Sequence, residues 1–216
     1  MMNNWNRYEL AQLLEYFIHK DKERASLVIE KKVEDQLPVL IKVIRQLENN
    51  HKEIGLSMSD IVELGNLLEC TSYKETALKN WVKREIKMFI GIPQVGKKYS
   101  VQQAALLFIV KDLKTILDFD AIRKVLSYVF NNPMDRSDDH LSPMDFFLTY
   151  SKMYEQLMKN EKVLTDAVVT DAVFQHVNKL TIPDDEKENV TKAFIVALLS
   201  TRATYIQGMA MQYVTE

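Results

Sequence analysis

The sequence predicts an all-α protein, and three observations carry that prediction. Apolar residues recur at helical spacing in nearly every segment. Three capping signatures, Ser57–Asp60, Ser72–Glu75 and Ser100–Gln103, follow one another, each ahead of a helical stripe. Only 5 Gly and 5 Pro occur in 216 residues. An all-β fold, with a turn every ~8–12 residues, needs more of both.

The elements follow in order. Leu10, Leu13, Leu14 and Phe17 stand at i, i+3, i+4 and i+7 and predict the first amphipathic helix. Ala25 to Val33 is a shorter apolar stretch of ambiguous period. Leu37, Leu40, Ile41, Ile44 and Leu47 form a second stripe, and Pro38 within it fits only a first turn, so that helix begins near Leu37. The polar stretch 48–55 closes an N-terminal helical region, residues 1–55.

Residues 56–130 form the central region. Its three capping pairs satisfy backbone N–H groups at both the cap and the third helical position. They precede Ile61, Leu64, Leu67 and Leu68; then Leu78, Trp81, Val82 and Ile86; then an apolar helix running to Leu117. Asp118 caps a fourth stripe of Ile122, Val125, Leu126 and Val129. The segment 131–143 is polar, aperiodic and holds two prolines, which marks a second boundary. The C-terminal region, 131–216, reads as three helices: one from about Ser142 to Asn160, one over about 162–179, and one from near Thr181. Pro183, Asp184, Asp185 and Glu186 lie in the first turn of the last, where carboxylates complement the helix dipole.

Composition excludes several function classes. The longest apolar run, Ala104 to Val110, falls far short of the ~20 residues that cross a bilayer. The opening MMNNWNRYELAQ lacks a basic segment followed by an apolar one, so a cytoplasmic location is expected. One cysteine, Cys70, forms no intramolecular disulfide and supports no zinc cluster. It reads as a small buried residue rather than a redox switch. No two of His19, His51, His140 and His176 stand at i, i+4, so no helical metal site is expected. Asp135, Asp138, Asp139 and His140 read as loop-solvating and capping residues. The usual nucleotide-binding and hydrolase signatures are missing, so neither enzymatic activity nor a cofactor is expected. Met144, Phe147, Met153, Tyr154 and Met158 read as core rather than as a ligand pocket.

Charge is the informative feature. The chain carries −2 overall. Between Thr71 and Tyr99, however, Lys74, Lys79, Lys83, Arg84, Lys87, Lys97 and Lys98 face only Glu75 and Glu85, a net of +5 in 29 residues against −7 over the remainder. Such an island is an electrostatic footprint for a polyanion. On a helix from Tyr73 to about Lys87, the side chains Thr76, Lys79, Asn80, Lys83, Arg84 and Lys87 fall within roughly 140° of arc. Leu78, Trp81, Val82 and Ile86 take the packing side. Lys and Arg neutralise phosphates or donate to guanine, and Asn pairs bidentately with adenine. An ordinary solvated face is the plainer reading of the same residues. The following stretch, punctuated by Gly91, Pro93 and Gly96 and ending in Lys97 and Lys98, suits a short wing touching the DNA backbone or minor groove, or a plain connecting loop.

These residues carry a resemblance. LSMSDIVELGNLLECTSYKETALKNWVKREI, IPQVGKKYS and LLFIVKDLKTILDFDAIRKVL together resemble the winged helix-turn-helix of the MerR regulators. Thr76, Leu78, Lys79 and Trp81 match its recognition helix. Lys97, Lys98, Tyr99 and Ser100 match the end of its wing, and Leu117, Phe119, Asp120, Ile122 and Leu126 its closing helix pair. The likeness is greater still to a bacterial family of unknown function with a MerR-like core, whose members carry T-K-T-x-I-N-N-Y-x-K and K-K-Y-S, here YKETALKNWVK and KKYS. The Arg-Tyr pair typical of MerR recognition helices is Lys79-Asn80 here, and the cysteines of the metal-sensing members are absent.

The resemblance implies a DNA-binding transcriptional regulator. Lys79, Asn80, Lys83 and Arg84 would enter the major groove, Lys74 and Thr76 would hold phosphates, and Lys97, Lys98 and Tyr99 would act from the wing. The C-terminal helices would dimerise the protein on double-stranded DNA, house an effector, or both. The alternative expectation is a protein-interaction module that keeps a degenerate helix-turn-helix as scaffold and uses its acidic remainder to meet a basic partner.

Overall fold

The structure, a computed structural model, describes residues 5–30, 32, 38–48, 53–130, 139–160 and 165–215. The chain folds as predicted, mostly into helices: α1 (Arg7–His19), α2 (Lys22–Glu30), α3 (Pro38–Glu48), α4 (Met58–Gly65), α5 (Glu75–Asn80), α6 (Lys87–Ile90), α7 (Val101–Leu113), α8 (Phe119–Ser127), α9 (Pro143–Asn160), α10 (Asp166–Val177) and α11 (Asp184–Thr215). A π-helical turn, Trp81–Glu85, joins α5 to α6. Two short strands, β1 (Gly55–Leu56) and β2 (Tyr99–Ser100), pair antiparallel with Gly55 opposite Ser100 and Leu56 opposite Tyr99.

Local chemistry sets most of the helix starts. Ser57 accepts from the Asp60 N–H while Asp60 accepts from the Ser57 N–H, closing a box on α4. Ser100 and Gln103 do the same on α7. Asp118 caps α8 and Thr165 caps α10. A further box, Asn6–Glu9, starts α1. Pro38 is the first residue of α3, where its missing N–H is harmless. The ambiguous Ala25 region is the helix α2, and only Ala25 of it is buried. The expected boundary at 131–143 lies largely outside the described residues.

The expected Ser72–Glu75 box does not form. Ser72 is exposed, and α5 starts after Lys74 with no side-chain cap. The backbone before it is committed elsewhere. Glu69 donates its N–H to the Trp5 carbonyl. Cys70 adopts a left-handed conformation at φ 58°. Thr71 Oγ1 donates to the Gly65 and Leu68 carbonyls. Asn66 accepts from the Tyr73 N–H at 2.7 Å and donates back to the Tyr73 carbonyl. These bonds hold residues 66–73 off the helical path and delay the helix.

Helix α7 is apolar all round and is buried all round: Ala104 to Val110 are all core. Helices α1, α9 and α11 pack against it. Phe108 of α7 stacks on Phe147 of α9 with centroids 5.8 Å apart, and Tyr73 meets Phe108 edge-on. Phe146 gathers Phe130, Tyr150 and Phe194 around it. Met144, Phe147, Met153 and Tyr154 are core, as expected, and Met158 packs on their margin. All three sequence regions contribute to one hydrophobic cluster.

One buried polar centre crosses that cluster. Arg7 Nε donates to Asp112 Oδ1 at 2.9 Å, and Tyr150 Oη donates to Asp112 Oδ2 at 2.8 Å. Burial by itself would lower the Arg7 guanidinium, but the charge and hydrogen bond of Asp112 overcome it and raise its pKa. Burial, reinforced by Asp112, pushes the Tyr150 phenol well up, so it stays a donor. No described helix is long and apolar enough to cross a membrane.

Candidate nucleic-acid interface

The single helix expected over Tyr73 to Lys87 is three pieces. After α5, the Ile86 N–H reaches back five residues to the Trp81 carbonyl at 2.9 Å, which defines the π turn. Ile86, at φ −123° and ψ 21°, breaks the helical path before α6. Arg123 of α8 secures the break. Its Nη1 donates to the Glu85 carbonyl at 2.9 Å, its guanidinium lies 3.7 Å from the Glu85 carboxylate, and it also pairs with Asp120.

Across the break the predicted polar side chains stay in solvent. Lys74, Thr76, Lys79, Asn80, Lys83, Arg84 and Lys87 are all exposed. On the packing side, Leu78 and Ile86 are buried, and Trp81 and Val82 are half-buried and packed against the core. Trp81 meets Phe119 of α8 edge-on at 5.8 Å, which anchors the π turn against α8.

Among the described residues, one of these cations is neutralised within the chain: Lys79 pairs with Glu75 one turn earlier, at 2.5 Å. No described carboxylate lies within ion-pair distance of Lys74, Lys83, Arg84, Lys87, Lys97 or Lys98. Lys79, first in the expected groove-reading set, is therefore the partly compensated member.

The stretch between α6 and α7 is an ordered turn. Val95 and Lys98 exchange backbone hydrogen bonds at 3.0 Å, and Gly96 supplies the positive φ at its tip, 62°. Lys97 projects into solvent. Lys98 is half-buried, and its stem lies on Gly55, where an added Cβ would come within 2.9 Å of Lys98 Cβ. Tyr99 is held by its β2 pairing to Leu56, and burial raises its phenol. Of the three expected wing contacts, then, Lys97 is the freely exposed one.

Gln103 organises this turn. Besides capping α7, its buried amide donates from Nε2 to the carbonyls of Ile90 at 2.6 Å and Ile92 at 2.7 Å. Its Oε1 accepts from the Gln94 and Ser100 N–H groups. The sequence marked Gln103 only as a capping residue; nothing in its spacing signalled a reach across 9 to 13 positions. Asn66 is a second organiser that the sequence did not single out.

Around these residues the chain presents charge and hydrogen-bond donors. Of the Asp135–His140 cluster, only Asp139 and His140 are described, and His140 Nε2 lies 3.7 Å from Glu186. Cys70 is half-buried, and burial followed by the charge of Glu69 raises its thiol pKa.

Residues 47–156 match the family described as a domain of unknown function, DUF1836. The uncharacterized protein YkrK of Bacillus subtilis (strain 168) is 58% identical over 96 residues, which is 44% of this chain and 41% of that relative's length. No solved structure matches. The family match spans just over half of the chain and takes in α4 through most of α9, the whole cationic run included; the chain belongs to the DUF1836 family.

Proposed function

We propose that this protein is a cytoplasmic DNA-binding transcriptional regulator whose segment 56–130 works as a MerR-like reading head. The observation that carries the proposal is the set of exposed cations Lys74, Lys83, Arg84, Lys87 and Lys97, spread from the start of α5 through the π turn and α6 to the following turn, that no described carboxylate neutralises. Side chains left uncompensated in an otherwise acidic chain favour a polyanionic partner. Asn80 and Thr76, exposed among them, add hydrogen-bonding capacity that simple phosphate attraction does not need.

Helix α11 supports the dimer that this reading expects. Leu199, Ile206, Met209 and Tyr213 are exposed along it at successive spacings of 7, 3 and 4 residues. That is the spacing of a heptad seam. Pairing two copies along it would present two reading heads to two half-sites.

Equilibrium binding to a mixed-sequence 30-base-pair duplex, measured from low to moderate salt, tests the proposal. Affinity should fall with salt along a log–log slope of roughly −0.9 per phosphate neutralised. A protein that retains no duplex at low salt would refute it and favour a protein-interaction role.

A further inference from the structure

Beside the cations lies an apolar feature that phosphate binding does not use. Ile92 is 81% exposed and Met88 is 53% exposed. Both line a groove of about 1000 Å³ together with Arg84, Lys87 and Gly91. Burying Ile92 would have stabilised the chain, yet the fold holds it out.

The segment that holds it out is pinned. Gln103 Nε2 binds the carbonyls of Ile90 and Ile92, and its Oε1 binds the N–H of Gln94. One buried side chain thus fixes the backbone on both sides of Ile92. Pro93 restricts it further on the C-terminal side. Gly91, at φ 66°, turns the chain sharply out of α6, and an added Cβ there would meet only open space. An exposed branched aliphatic side chain on a rigid support, with Arg84 and Lys87 on the same groove, has the form of a wedge. Apolar wedges of this kind enter between base steps and kink a duplex, while flanking cations hold the backbone on either side.

We infer that Ile92, backed by Met88 and Pro93, inserts into the minor groove of duplex DNA and partly unstacks a base step, so that the protein bends its site. Duplex DNA is the occupant because Arg84 and Lys87 on the groove's rim bear no described ion pair and complement phosphate, while Glu85, the carboxylate that also lines the groove, is paired with Arg123. The inference rests on the DNA-binding reading above and adds a deformation step to it. Because pyrimidine–purine steps unstack most readily, the wedge would favour a TA or CA step in the site.

The test uses the full chain, its Ile92→Ser variant and a 40-base-pair duplex carrying a dye at each end and 2-aminopurine at a central TA step. Ile92 is exposed, so the substitution should leave the fold intact, with an unchanged Tm as the check. The parent should bring the duplex ends together and brighten 2-aminopurine on binding. Ile92→Ser should still bind, with affinity no more than about tenfold lower, but with the brightening lost and the end-to-end approach at least halved. Binding without brightening by the parent, or equal bending by parent and variant, would overturn the wedge and leave DNA binding standing. Absence of duplex binding by the parent at low salt would remove both readings, and a surface of this composition would then fit a protein partner.

Discussion

Gln103 does the most with one side chain. It closes the α7 capping box, ties the end of α6 to the following turn and accepts from both Gln94 and Ser100. Removing it strands two carbonyls and two N–H groups. Stranded buried groups cost roughly 1–3 kcal/mol each when water cannot reach them. The turn lies near the surface, so water recovers part of that loss. Gln103→Ala should therefore cost about 2–3 kcal/mol in denaturant unfolding. Amide hydrogen exchange should accelerate at Gln94 and Ser100. Unchanged protection there would show that the strand pairing alone holds the turn. The cap role of Gln103 was legible because a box follows from local spacing. Its reach to Ile90 and Ile92 was not, because that depends on where tertiary packing returns the chain. Trp81 shows the same limit. Helical spacing put it on the apolar side, where it packs, but its half-buried edge contact with Phe119 of α8 was not readable from spacing.

Among the elements, the Leu68–Ser72 turn packs closely on α11. A Cβ on Gly208 would lie 2.3 Å from Cys70 Cβ and 2.9 Å from Cys70 Cα. In an unhindered helix, Gly→Ala stabilises by about 1 kcal/mol through helix propensity. Here backbone and side chain of Cys70 block the added methyl, so overpacking wins. Gly208→Ala should lower stability by about 1–3 kcal/mol. Adding Cys70→Gly should restore most of the loss, because Cys70 already sits at φ 58°, where glycine is at ease. Thermal melting of the two variants distinguishes this from a simple helix effect, in which Gly208→Ala would raise Tm. Nothing local to Gly208 signalled this contact, because it depends on where packing brings Cys70. The sequence identified α1, α3, α4, α7, α8, α9 and α10 to within a few residues, because their stripes and caps are local signals. It misplaced the start of α5 and ran α5 to α6 as one helix, because Asn66, Thr71 and Arg123 act there through distant partners.

Across the whole molecule, Arg7, Asp112 and Tyr150 join α1, α7 and α9 through one carboxylate. The described parts of the N- and C-terminal regions are thereby fastened to the central helix, inside one shared core. Asp112→Ala should cost about 3–5 kcal/mol, roughly 10 °C in Tm, because Arg7 would be left charged and buried. Arg7→Met combined with Asp112→Leu should recover most of this, since a buried pair is replaceable by apolar side chains of similar size. A double variant as unstable as Asp112→Ala would mean the pair is required for folding. Asp112 follows the apolar run Ala104 to Val110, and its partners, 105 and 38 residues away, were not readable from spacing. The exposed cations of the central region lie outside this core, and the central claim is that they meet DNA. The most direct measurement is the salt dependence of duplex binding by Lys83→Ala/Arg84→Ala beside the parent. Both side chains are exposed and make no described ion pair, so Tm should move by no more than a few degrees. Affinity should fall at least about tenfold at moderate salt, and the log–log slope should flatten by roughly 2. A double variant that binds duplex with the parent's affinity and slope would contradict the account.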